Sequence, residues 1–333
     1  MKKKIFITGG AGYVGCRIVG DLLKAGYYVT VYDIMHYSDS YLPKNENNLK
    51  IITGDIRDIS KVKKASENHD VFVHLACISN DASFILDEEL SKTVNFDCFE
   101  HIVKAAKENK IKRFIYASSS SVYGISDKKN VTENHPLLPL TAYNKFKGLC
   151  EPILFEQASD DFETVVFRPA TVCGYSSRMR FDLSVNILTC HAICNNLIKV
   201  FGGDQLRPNL HIQDYSDLIK ILITTDKQKI QKEIFNVGFQ NLSIIKIAEL
   251  VKEELEKNFG FKDIKILRTP SDDNRSYHIN SDKIFNILGF KPKYNIEYAV
   301  SEIANAFNKN LFDDPLHNRI YHNVKTLKFN NVK

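Results

Sequence analysis

No run of about 18 apolar residues occurs in the chain, so the usual signature of a membrane-crossing helix is missing. Nor is charge of one sign concentrated: 45 basic against 40 acidic residues leave a net charge of +5 spread over 333 residues. The only dense basic run, Lys2 to Lys4, sits directly ahead of an apolar strand, so no nucleic-acid-binding face is expected. Behind those lysines Ile5, Phe6 and Ile7 give way at once to Thr8-Gly9-Gly10, too soon for the apolar core of a signal peptide. The seven cysteines are odd in number and scattered, unlike a disulfide framework, and are taken as reduced thiols in a cytoplasmic protein. Cys190 and Cys194 flank His191, but an i, i+4 pair on an apolar helix fits packing, and no metal site is expected. Compositional bias is absent too: 44% hydrophobic and 26% charged residues exclude a mostly disordered, collagen-like or coiled-coil chain.

What is present is an alternation. Short β-branched runs at 3–7, 28–32, 50–53, 71–75 and 113–118 are separated by helical stretches at 16–25, 59–67 and 97–109. This spacing predicts right-handed crossovers and a doubly wound parallel α/β sheet of Rossmann type. Beyond about residue 170 the pattern becomes irregular. Helices are expected at 183–195, 217–224 and 244–256, and strands at 197–201, 211–213, 234–237 and 264–268, which suggests a second, smaller α/β substrate lobe. The stretch 323–333 is expected to be a strand or tail on that lobe. Without a linker between them, two such lobes share a cleft at the carboxyl ends of the strands.

Thr8-Gly9-Gly10-Ala11-Gly12-Tyr13-Val14-Gly15 lies between the first strand and first helix. There a glycine-rich turn lets backbone amides approach a dinucleotide's pyrophosphate at the helix N-terminus. Gly9, Gly12, Tyr13, Val14 and Gly15 are therefore candidate cofactor contacts. Asp33 ends the second strand 18 residues after Gly15, where a carboxylate would accept ribose hydroxyls and repel a 2′-phosphate. With no Arg at 34 or 35, this points to NAD and away from NADP. Asp55 and Ile56 after the third strand, and Leu75 and Ala76 after the fourth, are placed to border the same dinucleotide, although each could be an ordinary strand terminus.

Tyr143 and Lys147 are four residues apart on one helix face, and Tyr143 follows Ser119 by 24 residues. A phenol with a pKa near 10 is a poor base at neutral pH, but a neighbouring ammonium and a cationic cofactor favour its phenolate. Tyr143 would then accept a proton from a sugar hydroxyl, with the run Ser118-Ser119-Ser120-Ser121-Val122-Tyr123-Gly124 beside it.

Together these motifs resemble the extended short-chain dehydrogenase/reductase family, in particular its nucleotide-sugar epimerases and dehydratases, over nearly the whole chain. The resemblance implies NAD as cofactor and a nucleotide-diphosphate sugar as substrate, with no nucleic-acid or membrane partner. It divides the chain into an NAD-binding part, 1–170 with about 209–240, and a nucleotide-sugar lobe, about 171–208 with 241–333. It makes Ser119, Tyr143 and Lys147 catalytic, with Ser119 bonding the reacting hydroxyl and Ser120 next to it on the substrate side. Arg207, in Gly202-Gly203-Asp204-Gln205-Leu206-Arg207-Pro208, and Arg275 match arginines that meet the sugar nucleotide's diphosphate, as bidentate guanidinium groups suit phosphate oxygens. Asn186 matches a helix residue that touches the nucleotide or sugar. A homodimer is implied, with a homotetramer the alternative.

Relatives that eliminate water across C5 and C6 carry acid and base groups in the two positions after the one matching Ser119, or a Glu in the second. Here both are serine, Ser120 and Ser121, which disfavours 4,6-dehydration and the decarboxylase branch alike. Oxidation at C4 remains. Return of the hydride to the other face gives a 4-epimerase, the expected activity; release of the keto sugar gives a 4-dehydrogenase. A non-catalytic NAD-binding protein is the reading from another class. No single residue decides between the first two.

Overall fold

The computed structural model describes residues 2–330 apart from 127, 129, 272–275 and 277. In chain order its strands are β1 (Lys4–Thr8), β2 (Tyr28–Asp33), β3 (Leu49–Thr53), β4 (Val71–His74), β5 (Arg113–Ala117) and β6 (Glu163–Pro169). They are followed by β7 (Thr171–Cys173), β8 (Leu197–Phe201), β9 (Leu206–His211), β10 (Glu233–Val237), β11 (Gln240–Ser243) and β12 (Lys265–Thr269). Seven of them form one sheet in the order β10-β6-β5-β4-β1-β2-β3, parallel throughout. The expected doubly wound α/β sheet is present, and its order reverses between β1 and β4, the place where such sheets open a crevice.

Alternate residues of these strands feed two separate cores, as the two-residue period of a strand requires. Ile5, Ile7, Val71, Val73 and Ile115 point to one face and pack with Ile18, Val19 and Leu22 of the helix Tyr13–Lys24. Phe6, Phe72, Phe114 and Tyr116 point to the other, among Phe99, Ile102 and Val103 of the helix Phe99–Glu108. With both faces covered, apolar residues are needed at nearly every position, which explains the unbroken β-branched and aromatic runs.

A third core joins Ile198 and Val200 of β8 to three helices, Ser184–Asn195, Ile244–Asn258 and Ile296–Asn308. Nearby, β11, β9 and β7 form a small mixed sheet, and β12 pairs with β8. Three local expectations are corrected. The first helix starts at Tyr13, three residues early, because Tyr13-Val14-Gly15 form its opening turn as well as the end of the glycine motif. Residues 212 and 213 are not strand: His211 ends β9 and its ring accepts from the Gln213 amide, starting the helix Ile212–Thr224. The segment expected as a strand or tail contains the helix Asn323–Phe329. Among the described residues no helix is long and apolar enough to cross a membrane.

The helix Ala142–Glu156, which carries Tyr143 and Lys147, is fastened to the sheet by a buried ion pair. Arg168 at the end of β6 donates Nη2 to Glu151 Oε2 at 2.5 Å and Nε to Oε1 at 2.9 Å. Ser118 Oγ donates to the same carboxylate at 2.6 Å, and Arg168 Nη1 reaches the Tyr123 hydroxyl at 2.6 Å. Both charged side chains are 3% exposed. Removing one member of such a pair strands the other in a site that water cannot reach. Glu151→Ala should therefore lower unfolding stability by about 3–5 kcal/mol, read from the urea midpoint; a loss below 1 kcal/mol would contradict this role.

Candidate active site

The carboxyl ends of β1, β2, β4 and β5 open into a cleft of about 400 Å³. At its floor Gly9 has φ +76, and a Cβ there would lie 2.6 Å from the Ala76 backbone nitrogen. A Cβ on Gly15 would lie 2.4 Å from the Gly9 carbonyl oxygen, so both glycines are required by close backbone approach. Gly12 differs: a Cβ would meet only the Gly9 carbonyl oxygen at 3.3 Å, and its residue faces the cleft. Gly12 caps the helix Tyr13–Lys24 without a side-chain bond, and the first turn holds no acidic residue. The positive end of the helix dipole and its leading amides are thus offered to an anion in the cleft. This cradle fits a dinucleotide diphosphate.

Asp33 ties the cradle together. Its Oδ2 accepts from the Ala11 amide at 3.0 Å and its Oδ1 from the Met35 amide at 2.8 Å. Burial raises its pKa, while these two amides pull it back. Tyr13 spans towards the substrate side, donating its hydroxyl to the Gly174 carbonyl at 2.6 Å. Asp55 is held by Arg57, with Nε at 2.9 Å and Nη2 at 2.6 Å from Oδ2; burial works against its charge, but these bonds win and its pKa falls. Val14, Ile56, Leu75 and Ala76 line the same cleft.

The opposite wall comes from β5 and the helix Ala142–Glu156. Ser119 Oγ lies 2.7 Å from Ser121 Oγ, and Ser121 Oγ donates to Asn144 Oδ1. An amide oxygen can only accept, so the single Ser121 proton points to Asn144 and Ser121 must accept from Ser119. Ser119 thereby presents its oxygen to the cleft as an acceptor, and Ser121 is held away from proton abstraction. Ser120 is buried at the cleft edge. Lys147 is 4% exposed and donates Nζ to the Ala117 carbonyl at 2.8 Å, 5.1 Å from the centre of the Tyr116 ring.

Burial pushes the Tyr143 phenol well above 10, Cys77 and Asp81 add to the rise, and Arg180 draws it back. Lys147, the neighbour expected to favour the phenolate, donates Nζ to the Ala117 carbonyl, and its charge also bears on His74. Asp81 itself accepts a bond from Thr141 Oγ1 at 2.5 Å.

Arg207, on β9, lines the cleft and donates Nη1 to the Leu206 carbonyl at 3.0 Å. Arg275 lies outside the described residues. Asn186 does not face the cleft: it is fully buried, its Oδ1 accepting from the Gly174 amide at 3.1 Å. Its Nδ2 donates to the Tyr13 hydroxyl at 3.1 Å and the Arg180 carbonyl at 3.0 Å, so it braces that loop. Sequence reasoning missed Asn144 as a cleft residue. Ser121, weighed only for lacking an acid or base group, lines the cleft, as do Arg178 and Arg180 of the loop 176–180, which the sequence places against the sugar or base pocket with one more positive charge for the ligand. For the arginines the signal was two basic residues in an otherwise apolar and hydroxylated stretch, Ser176 to Phe181.

Three comparisons bear on this cleft. The model of a family described as the NAD dependent epimerase/dehydratase family matches residues 5–238. UDP-glucose 4-epimerase of Lactobacillus helveticus is 28% identical over 320 residues, covering 87% of this chain and 92% of that protein. A dTDP-D-glucose 4,6-dehydratase of Bos taurus is also 28% identical, over 334 residues, covering 92% of this chain and 89% of that protein. Among solved structures, MoeE5 in complex with UDP-glucose and NAD superposes with a TM-score of 0.80 at 21% identity, covering 93% of this chain and all of that one.

His74 at the end of β4 yields a stability prediction. It is fully enclosed, its Nδ1 2.8 Å from Thr8 Oγ1, and burial together with the Lys147 charge pushes its pKa down to about 3. The unfolded chain binds this proton near pH 6.5 and the folded chain does not. His74 thus contributes stability that is complete above pH 6.5 and is lost as pH falls towards about 3. In urea titrations between pH 6 and 4, His74→Gln should flatten the pH dependence by about one proton; an unchanged slope would contradict a neutral His74.

Proposed function

The chain belongs to the NAD dependent epimerase/dehydratase family, and from that premise we propose that it inverts C4 of a nucleotide-diphosphate sugar through a 4-keto sugar. NAD, when bound, supplies hydride acceptance and return at that carbon. Gly9, Gly12, Gly15 and the leading amides of the first helix would hold its diphosphate, and Asp33 its ribose. The remaining work falls to side chains. Tyr143 takes the single proton of the C4 hydroxyl, and Ser119 would turn its own proton from Ser121 to the C4 oxygen as that oxygen becomes an acceptor, which fixes its direction. Arg180 favours the phenolate by its charge, while Lys147 braces the helix against β5. Arg207 would bind the diphosphate of the sugar nucleotide.

The observation that carries this reading is the hydrogen-bonded series Ser119, Ser121, Asn144, which lines the same cleft as Tyr143. It provides for one oxidation site and leaves neither serine as a base for a second proton. The two positions where dehydratases need acid and base groups are therefore occupied by a buried serine and a serine already donating. Asp81, the carboxylate whose charge reaches Tyr143, is engaged with Thr141.

A nucleotide-sugar panel of hexose and heptose forms, followed by NMR with NAD at one-tenth of the sugar, tests the proposal. C4 epimer accumulating well beyond that one-tenth is expected. Conversion that halts at the amount of NAD with a keto signal would mark a 4-dehydrogenase, and loss of the C6 hydroxyl a dehydratase. Tyr143→Phe should lower kcat by about 10²–10⁴-fold with KM little changed; indifference to the lost phenol would point to a binding protein.

A further inference from the structure

Among the described residues, Arg178 is a buried cation without a counterion of its own. Its side chain is 1% exposed, with the guanidinium carbon 3.7 Å from the centre of the Tyr37 ring. Nη2 donates to Asn323 Oδ1 at 2.6 Å, while Nε has no hydrogen-bond partner among the described residues. The carboxylates around it are committed elsewhere. Asp182 accepts from Arg180 Nε at 2.8 Å and from the Asn323 amide at 2.9 Å, and Asp33 accepts from two backbone amides. Burial pushes the pKa of Arg178 down to about 10, with the repulsion of Arg180 adding to it. A guanidinium so placed is costly unless something in the cleft completes it.

Its position says what that would be. Arg178 lines the cleft, and the segment it belongs to lies on the opening turn of the first helix, where Ser176 Oγ donates to the Tyr13 carbonyl at 2.8 Å. On the other side its charge reaches Asp33, the carboxylate at the end of β2. The guanidinium thus stands between the helix N-terminus and the ribose carboxylate, over the span that an adenosine diphosphate must cross. Arg207, by contrast, belongs to β9 and the substrate side.

We propose that Arg178 is the side-chain charge partner of the dinucleotide's diphosphate, and that Asn323, from the helix Asn323–Phe329, is the positioning residue that aims it. The diphosphate then receives backbone amides from one side and a charge-assisted side-chain donor from the other. The proposal rests on NAD as the resident dinucleotide.

Isothermal titration calorimetry of the whole protein with NAD, ADP and adenosine tests it. Arg178→Gln should weaken NAD and ADP by about ten- to a hundredfold and leave adenosine within about twofold, with Arg178→Lys recovering part of the loss. Asn323→Asp, which gives the guanidinium a carboxylate partner inside the protein, should weaken ADP without weakening adenosine. The melting temperature of the ligand-free Arg178→Gln protein should not fall, whereas its rise on adding NAD should shrink. Equal losses for ADP and adenosine, or unchanged ADP binding, would overturn the proposal. If the unsubstituted protein binds neither NAD nor ADP, the cofactor reading itself fails.

Discussion

The cleft depends on one buried ion pair, Arg168 with Glu151. Through Ser118 it touches the end of β5, through Arg168 the end of β6, and through Glu151 the helix whose first turn carries Tyr143. The network continues from Arg168 to the Tyr123 hydroxyl and on to Asn236 Oδ1 at 2.7 Å, in β10. A helix packed only by apolar contacts could slide along a sheet by a fraction of a turn at little cost. A bidentate guanidinium–carboxylate pair allows no such slide, because both its hydrogen bonds need fixed angles. The distance between the serines after β5 and the phenol is set by this pair, although neither member touches the cleft.

Electrostatically, the cleft works by withholding water. Tyr143, Asp33 and Arg178 are each shifted towards their neutral forms by burial, and each is answered by a specific neighbour: Arg180, the two amides and the face of Tyr37. In a wet site these charges would be screened and nearly interchangeable. Here each group keeps its own partner in a dry setting, the condition under which pre-arranged dipoles act most strongly.

How much of this was legible in the sequence follows from the range of the interactions. The parallel sheet was readable because a strand buried on both faces must be apolar throughout, and Gly9 and Gly15 because no other residue survives that backbone approach. Asp33, Tyr143 and Lys147 stood out through local spacing. The start of the helix Ile212–Thr224 was missed because a histidine ring, not a hydroxyl or carboxylate, caps it. Arg178 could not be understood from its neighbours in sequence: its aromatic support is at position 37 and its amide partner at 323, and only folding brings them together. Asn186, read as a ligand contact, shows the converse, since a polar residue on an apolar helix serves equally well to satisfy a buried loop.

The grip of Asn323 on Arg178 also bears on how the molecule is made. On a ribosome the glycine turn emerges well ahead of the arginine that faces it. The arginine appears only after some 170 residues, and its amide partner almost 150 residues later. In the order of synthesis the glycine cradle therefore precedes both the buried arginine and the side-chain amide that holds it. The last wall of the cleft is set only when the translated polypeptide has passed position 323 and folds back across the whole molecule.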